Sequence, residues 1–128
     1  MENEAIRFEG PAVQGQGSGG LDFILRDLQL NEHLRESARF AELVQEKLGP
    51  VHTGADRGVK QAGFYVLNTA QRPAVLIELG YATNPSDARL MSRRTGQEAL
   101  ATAIADAVVA YLLEYERKTG EGSDAGSR

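Results

Sequence analysis

Arg72-Pro73-Ala74-Val75-Leu76-Ile77-Glu78-Leu79-Gly80-Tyr81 holds a continuous apolar run, Ala74 to Ile77, that ends on a carboxylate. A short apolar run without alternation reads as a strand covered on both faces, as in an α/β sheet. Pro73 suits the first position of such a strand and would break its middle. Upstream, Gly63-Phe64-Tyr65-Val66-Leu67 is aromatic and β-branched, and the turn-like Asn68 to Pro73 separates the two runs. The spacing therefore predicts two neighbouring strands. Glu78 then stands at the carboxyl end of the second strand, where sites gather in open α/β sheets. A carboxylate in that position can act as general acid or base. The competing reading is a structural Glu that accepts backbone N–H groups or pairs with an Arg.

Helical patterns flank these runs. Leu21, Ile24, Leu25 and Leu28, then Leu34, Ala38, Ala41, Val44 and Leu48, recur at helical spacing. They predict either one helix or two, the second capped by Asn31, with Gly49-Pro50 as the stop. Asn84-Pro85-Ser86-Asp87 reads as a helix start: a capping side chain, Pro at the first helical position, and an acid near the positive dipole end. Thr95-Gly96-Gln97-Glu98 fits a capping box. Leu100, Ala103, Ile104, Ala107, Val108, Tyr111, Leu112 and Tyr115 form a long apolar stripe behind it. Two strands are too few for an independent sheet, so the pattern implies a portion of a larger domain. Residues 10–20 contain five Gly, and residues 119–128 (TGEGSDAGSR) are polar and Gly-rich. We read 1–20 as a flexible N-terminal segment, 21–118 as the domain portion, and 119–128 as a disordered tail.

Composition narrows the function. With 128 residues the chain is one domain by size, and 41% hydrophobic residues suffice for a core. A formal net charge of −4 argues against a nucleic-acid binder, which needs a basic face. The absence of Cys excludes disulfides, thiolate nucleophiles and Cys-based zinc sites. No apolar run suggests a membrane span, and the start at Met1-Glu2-Asn3-Glu4 is not a secretory signal. There is no phosphate-binding glycine loop and no nucleophile elbow. His33 and His52 form no HxxxH or HxH pair, so a metal site within the chain has little support. Arg57 and Lys60 flank Gly58 in Asp56-Arg57-Gly58-Val59-Lys60-Gln61, where they would either bind an anionic substrate group or form an ordinary solvated turn.

Two stretches, Asp56-Arg57-Gly58-Val59-Lys60-Gln61-Ala62-Gly63-Phe64-Tyr65-Val66-Leu67 and Arg72 to Pro85, resemble the zinc-dependent N-acetylmuramoyl-L-alanine amidases of the AmiC/CwlV type. The pattern in the C-terminal half of that family is R-G-V-K-x-A-x-F-x-V-L, then P-x-V-L-V-E-x-G-F-x-S-N. Glu32 to Ser37 and Ala99 to Tyr111 are similar in kind, so the resemblance spans about residues 1–116. It implies a mixed α/β sheet flanked by helices, of which this chain is the C-terminal portion. It also implies a peptidoglycan substrate in the cell envelope, periplasmic or extracellular, cleaved between N-acetylmuramic acid and L-alanine. A Zn2+ ion activates water in that family, and its general-base Glu matches Glu78.

The family's zinc ligands lie in D-P-G-H-G-G, in the helix that follows it, and in S-I-H-A-N. None of these motifs occurs in the chain, and neither histidine matches a ligand position. Glu2-Asn3-Glu4-Ala5-Ile6 looks like the helix after the third ligand, so the expectation is a portion that starts at an internal Met. Such a portion would lack the zinc ligands and be inactive on its own. The alternative is a non-catalytic module that binds muropeptides or a partner protein through an exposed sheet edge.

Overall fold

The structure, a computed structural model, describes residues 19–124, with side chains to residue 120. Four helices follow one another: α1 (Gly19–Leu48), α2 (Tyr65–Asn68), α3 (Pro85–Ser92) and α4 (Arg94–Asp124). The helix expected at residues 2–6 and nearly all of the flexible segment expected at 1–20 lie outside the described residues. So does the end of the expected tail, 125–128, while α4 continues through Asp124.

The expectation of an α/β mixed sheet is overturned: among the described residues there is no strand. Phe64 to Leu67 does not extend but enters the single turn α2, with Phe64 as its N-cap. Thr69 closes this turn by donating its hydroxyl to the Tyr65 carbonyl at 3.1 Å. Ala74 to Glu78 runs outside any regular element, so Glu78 does not end a strand. A strand needs a ladder partner, and side chains satisfy backbone groups here instead. The Ala74 N–H donates to Ser37 Oγ at 3.0 Å. Ser37 in turn donates its hydroxyl to the His33 carbonyl one turn back, at 2.7 Å, which leaves its lone pairs for Ala74. Strand propensity depends on packing and pairing, and an unpaired apolar run has no reason to realise it.

Local helix signals are realised more directly. α1 passes through Asn31, whose amide donates to Asp27 Oδ2 at 3.3 Å along the helix rather than capping a new one. At Gly49 the helix ends in a tight turn, with Val51 and His52 both donating to the Leu48 carbonyl. Asn84 caps α3 as its sequence suggests, accepting from Ser86 and Asp87 N–H at 2.9 and 3.2 Å. α4 begins at Arg94, before the expected capping box. The Arg93 carbonyl takes the Gln97 N–H, and Glu98 pairs with Arg94 at 2.9 Å instead of reaching back to a cap.

The chain forms two compact units. The first takes in the described residues to Ala38 and Lys60–Leu76; the second takes in Arg39–Val59 and the chain from Ile77. In the second unit Leu43 and Val44 of α1 meet Ala107 and Tyr111 of α4, and Phe40, Leu48, Ile77 and Ala110 pack around them. Phe40 and Tyr111 stack at 5.0 Å between ring centroids. Burying a large apolar side chain of this kind contributes about 1.5–3 kcal/mol. α3 packs on the start of α4, where a Cβ on Gly96 would lie 1.9 Å from the Leu90 carbonyl oxygen. Arg39 makes a two-point bridge to Glu114, at 2.8 and 2.7 Å.

Arg94–Gly120 is the one stretch among the described residues that is long and apolar enough to cross a membrane by length and composition. Its Ala107 is fully buried, and Leu100, Ala103 and Tyr111 nearly so. One-sided burial of this kind is that of a helix packed into a protein core.

Candidate functional site

Glu78 is exposed, yet the backbone on both sides of it is held. Before it, Ile77 packs against the apolar cluster of the second unit. After it, the Leu79 carbonyl accepts from His52 Nε2 at 2.8 Å. The Gly54 N–H donates to His52 Nδ1 at 2.9 Å. A backbone N–H can only donate, so Nδ1 is the bare acceptor and Nε2 carries the proton towards Leu79. The Tyr81 N–H donates to Asp87 Oδ2 at 3.0 Å.

Gly80 lies between these two anchors with φ +143°, a conformation that glycine alone adopts readily. A Cβ there would sit 2.9 Å from the Asp87 Cβ, so the backbone comes close to Asp87 only because position 80 has no side chain. Asp87 itself is buried, and its Oδ1 lies 3.9 Å from His52 Nε2. Its place in the first turn of α3 suits a negative charge.

The loop after α1 is tied to the same segment at two further points. Thr53 and Ser86 hydroxyls are 3.3 Å apart. Arg57 Nη1 donates to the Tyr81 hydroxyl at 3.2 Å, and its guanidinium carbon is 4.9 Å from the Tyr81 ring centroid, a cation–π distance. Asp56 shapes the loop: Oδ1 accepts from the Gly58 N–H at 2.7 Å and also from Gln45 Nε2, while Gly58 takes φ +70°. Of the expected substrate-binding pair, Arg57 is therefore joined to the segment that carries Glu78, three residues beyond it. Lys60 is exposed and belongs to the first unit.

The described residues do not fit a zinc ion. No group of three His, Cys, Asp or Glu side chains among them could hold a metal. Both ring nitrogens of His52 are already hydrogen-bonded, and His33 stands on α1 in the first unit. The sequence reading missed the parts played by His52 and Asp87. Asp87 carried a signal as an acid at a helix start, although its bond to Tyr81 N–H had none. For His52 there was no signal, because its partner is 27 residues further along the chain.

Comparison with known proteins gives a consistent result. The model of the family described as N-acetylmuramoyl-L-alanine amidase matches residues 10–110. The chain is 34% identical over 98 residues to the N-acetylmuramoyl-L-alanine amidase AmiA of Escherichia coli K12, a match covering 77% of this chain and 34% of that protein. It is 41% identical over 75 residues to LytC of Bacillus subtilis, covering 59% of this chain and 15% of that amidase. For AmiC of Neisseria meningitidis the identity is 29% over 108 residues, covering 84% of this chain and 26% of the relative. The chain thus spans about a third or less of the length of these relatives. No solved structure matches it.

Proposed function

Because the chain belongs to the N-acetylmuramoyl-L-alanine amidase family, we propose that it supplies the general base, Glu78, to an enzyme that cleaves the amide between N-acetylmuramic acid and L-alanine in peptidoglycan. The observation that carries this reading is the placement of Glu78: an exposed carboxylate between a core residue, Ile77, and two backbone anchors at Leu79 and Tyr81. A carboxylate held open to solvent on a fixed backbone can take the proton of an attacking water and deliver it to the leaving nitrogen. The C–O bond forms first, giving a tetrahedral adduct, and the C–N bond then breaks as the nitrogen takes up the proton. Arg57 and Lys60 bind anionic groups of the substrate, and the substrate puts the protein in the cell envelope.

Among the described residues no group fits the family's zinc, so none of them is assigned as a zinc ligand. These 128 residues alone, on this reading, neither bind zinc tightly nor hydrolyse peptidoglycan. Elemental analysis of the purified chain, with an assay for release of L-alanyl peptides, is expected to find neither. Stoichiometric zinc with chelator-sensitive hydrolysis would overturn that part. The role of Glu78 is tested by placing the preceding portion of the Escherichia coli AmiA chain ahead of this one. In that fusion Glu78→Gln is expected to lower turnover by about 10²–10⁴-fold with zinc content unchanged. Turnover that stays near normal would exclude Glu78 as the base. Muropeptide binding without hydrolysis by either form would favour a non-catalytic module.

A further inference from the structure

Glu78 stands outside any helix or strand, where a reactive group has no ladder to fix it, so its precision must come from side chains. Ile77 supplies one constraint, through the core. On the other side, the first backbone acceptor after Glu78 is the Leu79 carbonyl, and it is held by His52 Nε2 at 2.8 Å. His52 is itself not free to swing. The Gly54 N–H fixes Nδ1, and a Cβ on Gly54 would lie 2.8 Å from His52 Cε1, so the ring is seated directly over that glycine. The ring is only 21% exposed, which shields its bonds from competing water.

From this geometry we infer that His52 is a positioning residue for Glu78: a neutral imidazole that transfers the fixed position of the loop after α1 to the backbone carrying the carboxylate. The inference rests on the reading of Glu78 as the general base. It assigns His52 neither a metal nor a proton-transfer role. Its two nitrogens do different work, and this makes the idea testable. The Nε2 donor holds Leu79, whereas the Nδ1 acceptor only orients the ring.

His52→Gln places an amide donor near the Nε2 position, while His52→Asn supplies an acceptor near Nδ1 and cannot reach Leu79. Backbone ¹⁵N relaxation on the full 128-residue chain reads the difference. Order parameters at Glu78, Leu79 and Gly80 are expected to fall from about 0.85 to below about 0.6 in His52→Asn, and to remain high in His52→Gln. A merely structural histidine would respond alike to both changes, so equal order in the two variants would overturn the inference. Should His52→Asn fail to fold, Gly54→Ala serves in its place. It keeps the imidazole but pushes the ring off its seat, and it is expected to loosen the same three amides; unchanged order there would also overturn the inference.

In the AmiA fusion, His52→Asn is expected to lower kcat by about 10–100-fold with KM little changed, because small displacements of a reacting group are costly. The two readings fail separately. If Glu78→Gln retains turnover while His52→Asn loosens the segment, the catalytic role falls and the anchor stands. If Glu78→Gln abolishes turnover while His52→Asn alters neither order nor kcat, the anchor alone falls.

Discussion

The two units of the chain carry similar helical patterns and bury them very differently. In the second unit, Leu43, Val44, Leu100, Ala103, Ala107 and Tyr111 are all buried. In the first, the one buried side chain among the described residues is a carboxylate, Glu36. Its apolar residues Leu21, Phe23, Ile24, Leu25, Leu28 and Tyr65 are about half exposed or more. An amphipathic stripe therefore says which face seeks burial, not whether a partner is within reach. Stability follows burial rather than pattern, and local opening is expected where apolar contacts are few.

Substitutions across the two units sharpen this contrast. The largest loss is expected for Tyr111→Ala, about 3–5 kcal/mol, since Tyr111 is 8% exposed and stacks on Phe40. Chemical denaturation measures it, and a loss under about 1 kcal/mol would mean that the second unit's core is not what holds the chain. Gly96→Ala comes next, at about 1–3 kcal/mol for overpacking, because its Cβ meets the backbone of Leu90 rather than a movable side chain. The same unfolding experiment decides it; an unaltered midpoint would show that α3 and α4 part without cost. Leu25→Ala should change stability by no more than about 0.5 kcal/mol, since Leu25 is 49% exposed. A loss like that of a core leucine would break the comparison by showing that the stripe is covered in solution.

The smallest effect concerns pH. The hydrogen bonds and charge of Arg39 hold the Glu114 carboxyl below its ordinary range. A lowered folded-state value favours the native chain once the unfolded carboxyl is ionised, and this benefit is lost as the pH falls through the folded value. The bridge is partly solvated, so the gain is slight. Melting curves of the chain and of Glu114→Gln should differ near neutrality and converge in acid; a gap that widens on acidification would reverse the sign.

What could be read from the residues was mostly local. Gly49-Pro50 stops a helix, and Asn84-Pro85 starts one, because the relevant bonds close within a few positions. The strand reading of Phe64 to Leu67 and Ala74 to Glu78 failed because a strand exists only with a neighbour. At Ala74 the N–H that would join a ladder goes to Ser37, 37 residues away. The capping box at Thr95 lost to a start two residues earlier, where the Arg93 carbonyl takes the Gln97 N–H. At the candidate site, Glu78 stood out because a charge closes an apolar run. Its anchors did not, since each depends on a side chain brought in by the fold.

The approach of Gly80 to Asp87 has a consequence for how the chain can vary. With 2.9 Å between a would-be Cβ and the Asp87 side chain, positions 80 and 87 share one small volume. A methyl group at 80 would displace the carboxylate. One more methylene at 87 would carry the acceptor past the Tyr81 N–H. Neither position drifts alone without loosening the backbone behind Glu78, and the φ of +143° holds position 80 to glycine whatever stands at 87.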